Sequence, residues 1–86
     1  MGSAAQIRLL CVDDHPVFRQ GLGTVIESEL DMVIIAQADN GPEAITALCG
    51  HGPDVTLMEL RLPGINGTDI LIAIRGEFPV ARIIML

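Results

Sequence analysis

Four short apolar runs, each followed by a stretch with helical spacing, restrict this 86-residue chain to one kind of architecture. The runs are Ile7–Val12, Met32–Ala38, residues 54–58 and residues 82–86. They are nearly continuous in apolar and β-branched residues, the pattern of strands buried on both faces. After the first run, Val17, Phe18, Gly21, Leu22, Val25, Ile26 and Leu30 recur at helical intervals, which predicts an amphipathic helix from Pro16 to about Glu29. Proline suits a first helical position because its missing N–H has no intrahelical partner there.

The second helix is predicted to start at Asn40-Gly41-Pro42-Glu43. Asn40 can cap, and Glu43 stands three residues on, as in a capping box. Ala44, Ile45, Ala47 and Leu48 form its inner face, and Gly50-His51-Gly52-Pro53 stops it. A third helix is predicted after the loop Leu62-Pro63-Gly64-Ile65, with Asn66 as cap and Ile70, Leu71 and Ile74 facing inward. Gly76-Glu77-Phe78-Pro79 ends it. Strands alternating with helices of ten to fifteen residues imply an α/β fold with a parallel sheet and right-handed crossovers. Ligands in such folds collect outside the carboxyl ends of the strands, near the point where strand order reverses.

Two acidic sites fall at such ends. Asp13-Asp14 closes the first run, and Glu59 closes the third. Three converging carboxylates repel one another unless a cation or base neutralises them. An all-oxygen donor set suits a hard divalent ion such as Mg²⁺, which usually keeps several waters beside one or two carboxylates. His15 lies next to the pair, but no second histidine or cysteine stands at ligand spacing. It reads as a helix-start residue.

Composition excludes other functions. The chain carries a net charge of −6, and its five basic residues are all arginines, which argues against direct nucleic acid binding by this chain. Its longest apolar runs are far too short to span a bilayer, so no membrane association is expected. Cys11 and Cys49 read as buried small hydrophobes in a cytoplasmic protein rather than as a disulfide. Mean hydropathy is +0.52, high for a domain of this size, so part of the apolar surface is expected to meet a partner.

The stretch Val12-Asp13-Asp14-His15-Pro16-Val17-Phe18-Arg19-Gln20-Gly21-Leu22 resembles the opening of a response-regulator receiver domain. It is most similar to the NarL/FixJ-type branch, whose members carry a C-terminal helix-turn-helix domain. The likeness continues through Ala38-Asp39-Asn40-Gly41-Pro42-Glu43-Ala44, Pro53-Asp54-Val55-Thr56-Leu57-Met58 and Leu62-Pro63-Gly64-Ile65-Asn66-Gly67. The resemblance implies a flavodoxin-like, doubly wound parallel sheet of order 2-1-3-4-5, and Mg²⁺-dependent phosphoryl transfer from a sensor histidine kinase. It implies Asp13 and Asp14 as metal-side acids, the backbone carbonyl of Arg61 as a further ligand, and Glu59 at the phosphoacceptor position, also beside the metal. It implies a signalling module of a transcriptional regulator rather than an enzyme.

The chain departs from the family at two places. Glu59 stands where the family has aspartate, and its carboxylate reaches roughly 1.5 Å further. Misplacement on that scale costs about a hundredfold in rate, so no useful phosphotransfer is expected. The longer side chain either mimics the active state in part or merely keeps the pocket anionic. The family's pattern also continues beyond a fourth strand with a hydroxyl residue, a strand ending in lysine and a final helix, and no lysine occurs here. The expectation is therefore an incomplete sheet (strands and helices in the order β-α-β-α-β-α-β). Residues 1–6 would be a disordered leader or cloning remnant and residues 7–86 the N-terminal two-thirds of a receiver, exposing its fourth strand and dimerising or swapping elements.

Two rival readings accompany this one. A degenerate receiver would act only as a protein-interaction scaffold. An Mg²⁺-dependent phosphohydrolase would need acids two apart after the first strand and a lysine, whereas Asp13 and Asp14 are adjacent.

Overall fold

The computed structural model describes residues 6–62, 64 and 67–86. Residues 1–5 of the expected leader, Pro63, Ile65 and the expected cap Asn66 lie outside them. Gln6 is described, and its side-chain amide donates to the carbonyl of Leu30 at 3.3 Å.

The seven elements run β1 (Ile7–Val12), α1 (Pro16–Glu27), β2 (Met32–Ala38), α2 (Gly41–His51), β3 (Val55–Met58), α3 (Gly67–Glu77) and β4 (Ile83–Met85). The four strands form one sheet in the order β2-β1-β3-β4, with every pair parallel. Strand order therefore reverses between β1 and β3, where Val12 pairs with Met58. β2 carries one extra residue at Ile35, where its register with β1 shifts between Leu9 and Leu10.

The core lies on the sheet face covered by α2 and α3. Leu10 and Val12 of β1 and Met58 of β3 pack there with Ala44, Leu48, Ile70 and Ile74 of the two helices. Ile83 and Met85 of β4 join from the edge. Both helices thus bury the faces their spacing predicts.

The first helix differs. Within α1 only Ile26 is buried, while Val17 is 83% exposed, Val25 is exposed, and Leu30 beyond the helix end is 93% exposed. α1 packs chiefly against β2, so part of its apolar stripe meets no sheet. The helix also stops at Glu27, where Ser28 caps it and donates from its hydroxyl to the Val25 carbonyl at 2.6 Å. A serine hydroxyl competes for a terminal carbonyl, which explains an end two residues before Glu29.

At α2 the Asn40 side chain accepts from the Glu43 amide at 2.9 Å, as a cap should. The Glu43 carboxylate reaches one residue further than an ordinary capping box, accepting from the Asp39 amide at 2.9 Å. Gly52 ends the helix in the left-handed region, with φ 55°. Arg8 clamps that end, donating to the carbonyls of Gly52 at 2.8 Å and His51 at 2.6 Å. Cys11 is buried, as expected, but Cys49 is exposed because it lies on the outer side of α2, and both thiols are free. No helix among the described residues is long and apolar enough to cross a membrane.

Candidate functional site

The β1 and β3 ladders continue just past their strand ends, so both acidic sites leave adjacent strands. The Asp13 amide donates to the Ala38 carbonyl at 3.0 Å, and the Glu59 amide donates to the Val12 carbonyl at 2.9 Å. Asp13 and Glu59 thus leave neighbouring strands at the same level, at the switch in strand order.

Asp13 is 1% exposed, Asp14 is partly exposed, and His15 is exposed. One Asp13 oxygen, Oδ1, accepts from the His15 amide at 2.6 Å and faces the His15 ring nitrogen Nδ1 at 2.9 Å. Asp14 Oδ1 lies 3.1 Å from that nitrogen without hydrogen-bond geometry. Asp13 Oδ2 and Asp14 Oδ1 are buried with no hydrogen-bond partner. Orphaned carboxylate oxygens are costly and ask for a cation. The ligand atoms of Asp13, Asp14 and His15 all lie within 4.8 Å of one another.

His15 is the residue that sequence reasoning undervalued. It does stand at the helix start, but its side chain makes no capping bond and turns toward the two acids instead. The Asp13 hydrogen bond, then the charges of Asp14, Asp13 and Glu59, raise its pKa above the ordinary histidine value, against a smaller opposing effect of desolvation. The only advance signal was its adjacency to the pair. Burial, together with the nearby Asp13 charge, also pushes up the pKa of the Cys11 thiol beneath the pocket, and Arg19 opposes this.

Glu59 stands outside the cluster of three. Its Oε1 accepts from the Arg61 amide at 3.1 Å, folding the carboxylate back onto its own loop. The loop returns to α3 through the Gly67 amide, which donates to the Leu60 carbonyl at 2.6 Å. A Cβ at Gly67 would collide with that carbonyl and lie 2.8 Å from Leu60 Cα, so the approach requires glycine.

The response regulator receiver domain family matches residues 9–86. The chain belongs to that family. It is a receiver of the NarL/LuxR type, a component of two-component signalling. A nitrate/nitrite response regulator homologue from Haemophilus influenzae is 32% identical over 94% of this chain and 39% of its own length. A two-component response regulator of the LuxR family from Aurantimonas superposes with a TM-score of 0.89 at 33% identity, over 94% of this chain and 58% of that one. The signal receiver domain of NarL from Mycobacterium tuberculosis gives 0.87 at 29% identity, over 95% and 66%. This receiver spans about two fifths of the length of the curated relatives it matches. Receiver domains are signalling modules, and the doubly wound sheet expected from the sequence is the one observed.

Proposed function

We propose that this receiver is the regulatory module of a cytoplasmic transcriptional response regulator whose pocket accepts Mg²⁺ but not a phosphoryl group. The observation that carries the reading is the position of Glu59: it occupies the tip of β3 beside Asp13, with its carboxylate committed to the Arg61 amide.

Asp13 and Asp14 fit the metal side. Their two orphaned oxygens are hard donors, buried and unpaired. Asp13 Oδ2 and Asp14 Oδ1 would hold the ion, with the Arg61 carbonyl as a further ligand, whereas Glu59, expected beside the metal, is turned onto its own loop and lies outside the cluster. Bound Mg²⁺ supplies charge neutralisation for an incoming phosphoryl group. His15 serves as a cationic partner to the acids when protonated, and so competes with the ion.

Phosphoryl transfer needs an acceptor oxygen held in line with the donor phosphorus. Glu59 fails that requirement through its extra methylene and its bond to the loop. The same bond supports a partial mimicry of the active state: an anionic oxygen at the β3 tip takes the loop amide without any transfer. One carboxylate charge replaces nearly two on a phosphoryl group. A gain of about 1–2 kcal/mol shifts a two-state population roughly five- to thirtyfold, short of a complete switch. The partners in this reading are a sensor histidine kinase and a second copy of the receiver.

NMR with beryllofluoride and Mg²⁺ tests it. Mg²⁺ should shift the amides of Asp13 to His15, and beryllofluoride should add nothing. A stable beryllofluoride adduct at Glu59 would overturn the proposal.

A further inference from the structure

We infer that Arg19, acting through Asp39, is a positioning residue that fixes the geometry of the Asp13-Asp14 turn for its cation. The inference rests on the reading of those two acids as the metal side of the pocket.

A closed ring of interactions runs through that turn. The Asp13 amide donates to the Ala38 carbonyl at 3.0 Å. Asp39, the next residue, forms an ion pair with the Arg19 guanidinium through Oδ1 and Nη1. The Arg19 amide donates to the His15 carbonyl at 3.0 Å, and the His15 amide closes the ring on Asp13 Oδ1 at 2.6 Å. The three residues of the turn are therefore held at both ends by backbone bonds, to Ala38 on one side and to the Arg19 amide on the other, and the Arg19 side chain ties those two anchors together through Asp39.

Asp39 is itself held firmly. Its amide donates to the Glu43 carboxylate, and Glu43 is in turn fixed by the Asn40 cap. The support thus passes from the start of α2, through Asp39 and Arg19, to the first turn of α1. Arg19 is largely buried, and its Nε has no hydrogen-bond partner. An arginine that served only to pin α1 to the sheet could lie across the surface with all its donors wet. Here the guanidinium is drawn in instead, reaching from α1 to Asp39 just past the end of β2. Groups that orient metal ligands from behind typically govern affinity by tenfold or more.

The experiment compares the 86-residue chain with Arg19→Lys, Asp39→Asn and Arg19→Met/Asp39→Asn. Mg²⁺ affinity is measured calorimetrically well below each Tm, and the His15 ring resonances are recorded without metal. Arg19→Lys keeps the charge but loses the planar fork, and exposed Asp39 offers a second route should the lysine variant fail to fold. Each single variant should bind Mg²⁺ about tenfold more weakly and displace the His15 resonances, and the double variant should be no worse than either single. Variants that lose thermal stability yet bind Mg²⁺ like the parent, with His15 unmoved, overturn the inference. A parent chain that takes up no Mg²⁺ defeats the metal assignment alone. The positioning claim then stands if His15 is displaced in the variants and falls if it is not.

Discussion

One methylene decides how Glu59 spends its charge. An aspartate at the tip of β3 would hold its oxygens close to the strand, whereas Glu59 extends and turns back to the Arg61 amide at 3.1 Å. Across the pocket, His15 supplies what the acids lack, since its ring faces Asp13 Oδ1 at 2.9 Å. Because Asp13 is the largest cause of the raised His15 pKa, Asp13→Asn should bring the ring back toward the ordinary value of about 6.5. An NMR titration of the ring protons checks this, and an unchanged midpoint would contradict it. The linked effect on stability has a definite sign. A pKa raised in the folded state means the folded chain binds the proton more tightly. The stabilisation is complete below about pH 6.5 and is lost as pH rises through the raised native value. The ring is exposed, so the effect on stability is small.

The elements that could be read in advance are those whose local chemistry agrees with their packing. Asn40 and Glu43 announce α2, and the buried faces of α2 and α3 follow their apolar spacing. α1 shows where that logic stops. Its apolar stripe is as regular as the others, but burial depends on what packs against it, and α1 meets β2 more than the middle of the sheet. The acids were legible as a candidate site because strand ends at a switch in strand order collect ligands. The His15 contacts and the Glu59–Arg61 bond were not, because they depend on rotamers that no spacing encodes. Gly67 is a test at this scale. Its amide meets Leu60 at 2.6 Å, and any Cβ must push the Glu59 loop aside. Gly67→Ala should cost about 1–3 kcal/mol in chemical denaturation. It should also shift the Glu59 and Arg61 amide resonances, and a neutral effect on both would contradict the close approach.

For the whole molecule, the sheet is covered unequally. α2 and α3 close one face, while the face bearing α1 leaves Ile84 of β4 52% exposed and Leu86, Val25 and Phe18 open to solvent. Among the described residues β4 is also an edge strand, paired on one side only, with β3. The 86-residue chain should therefore self-associate with rising concentration in sedimentation experiments. Ile84→Lys, which puts a charge on the open face, should return it toward monomer. A parent chain that stays monomeric throughout would contradict this. The same imbalance leaves the pocket itself intact, since Asp13, Asp14 and Glu59 are placed by β1 and β3 in the middle of the sheet. On the proposed reading, a single side chain, Glu59, silences this receiver pocket. Intact-mass spectrometry after incubation with acetyl phosphate and Mg²⁺ tests it most directly, comparing the parent chain with Glu59→Asp. The parent should gain no phosphoryl group, and Glu59→Asp should gain one. A phosphorylated parent, or an aspartate variant that stays bare, would contradict the claim.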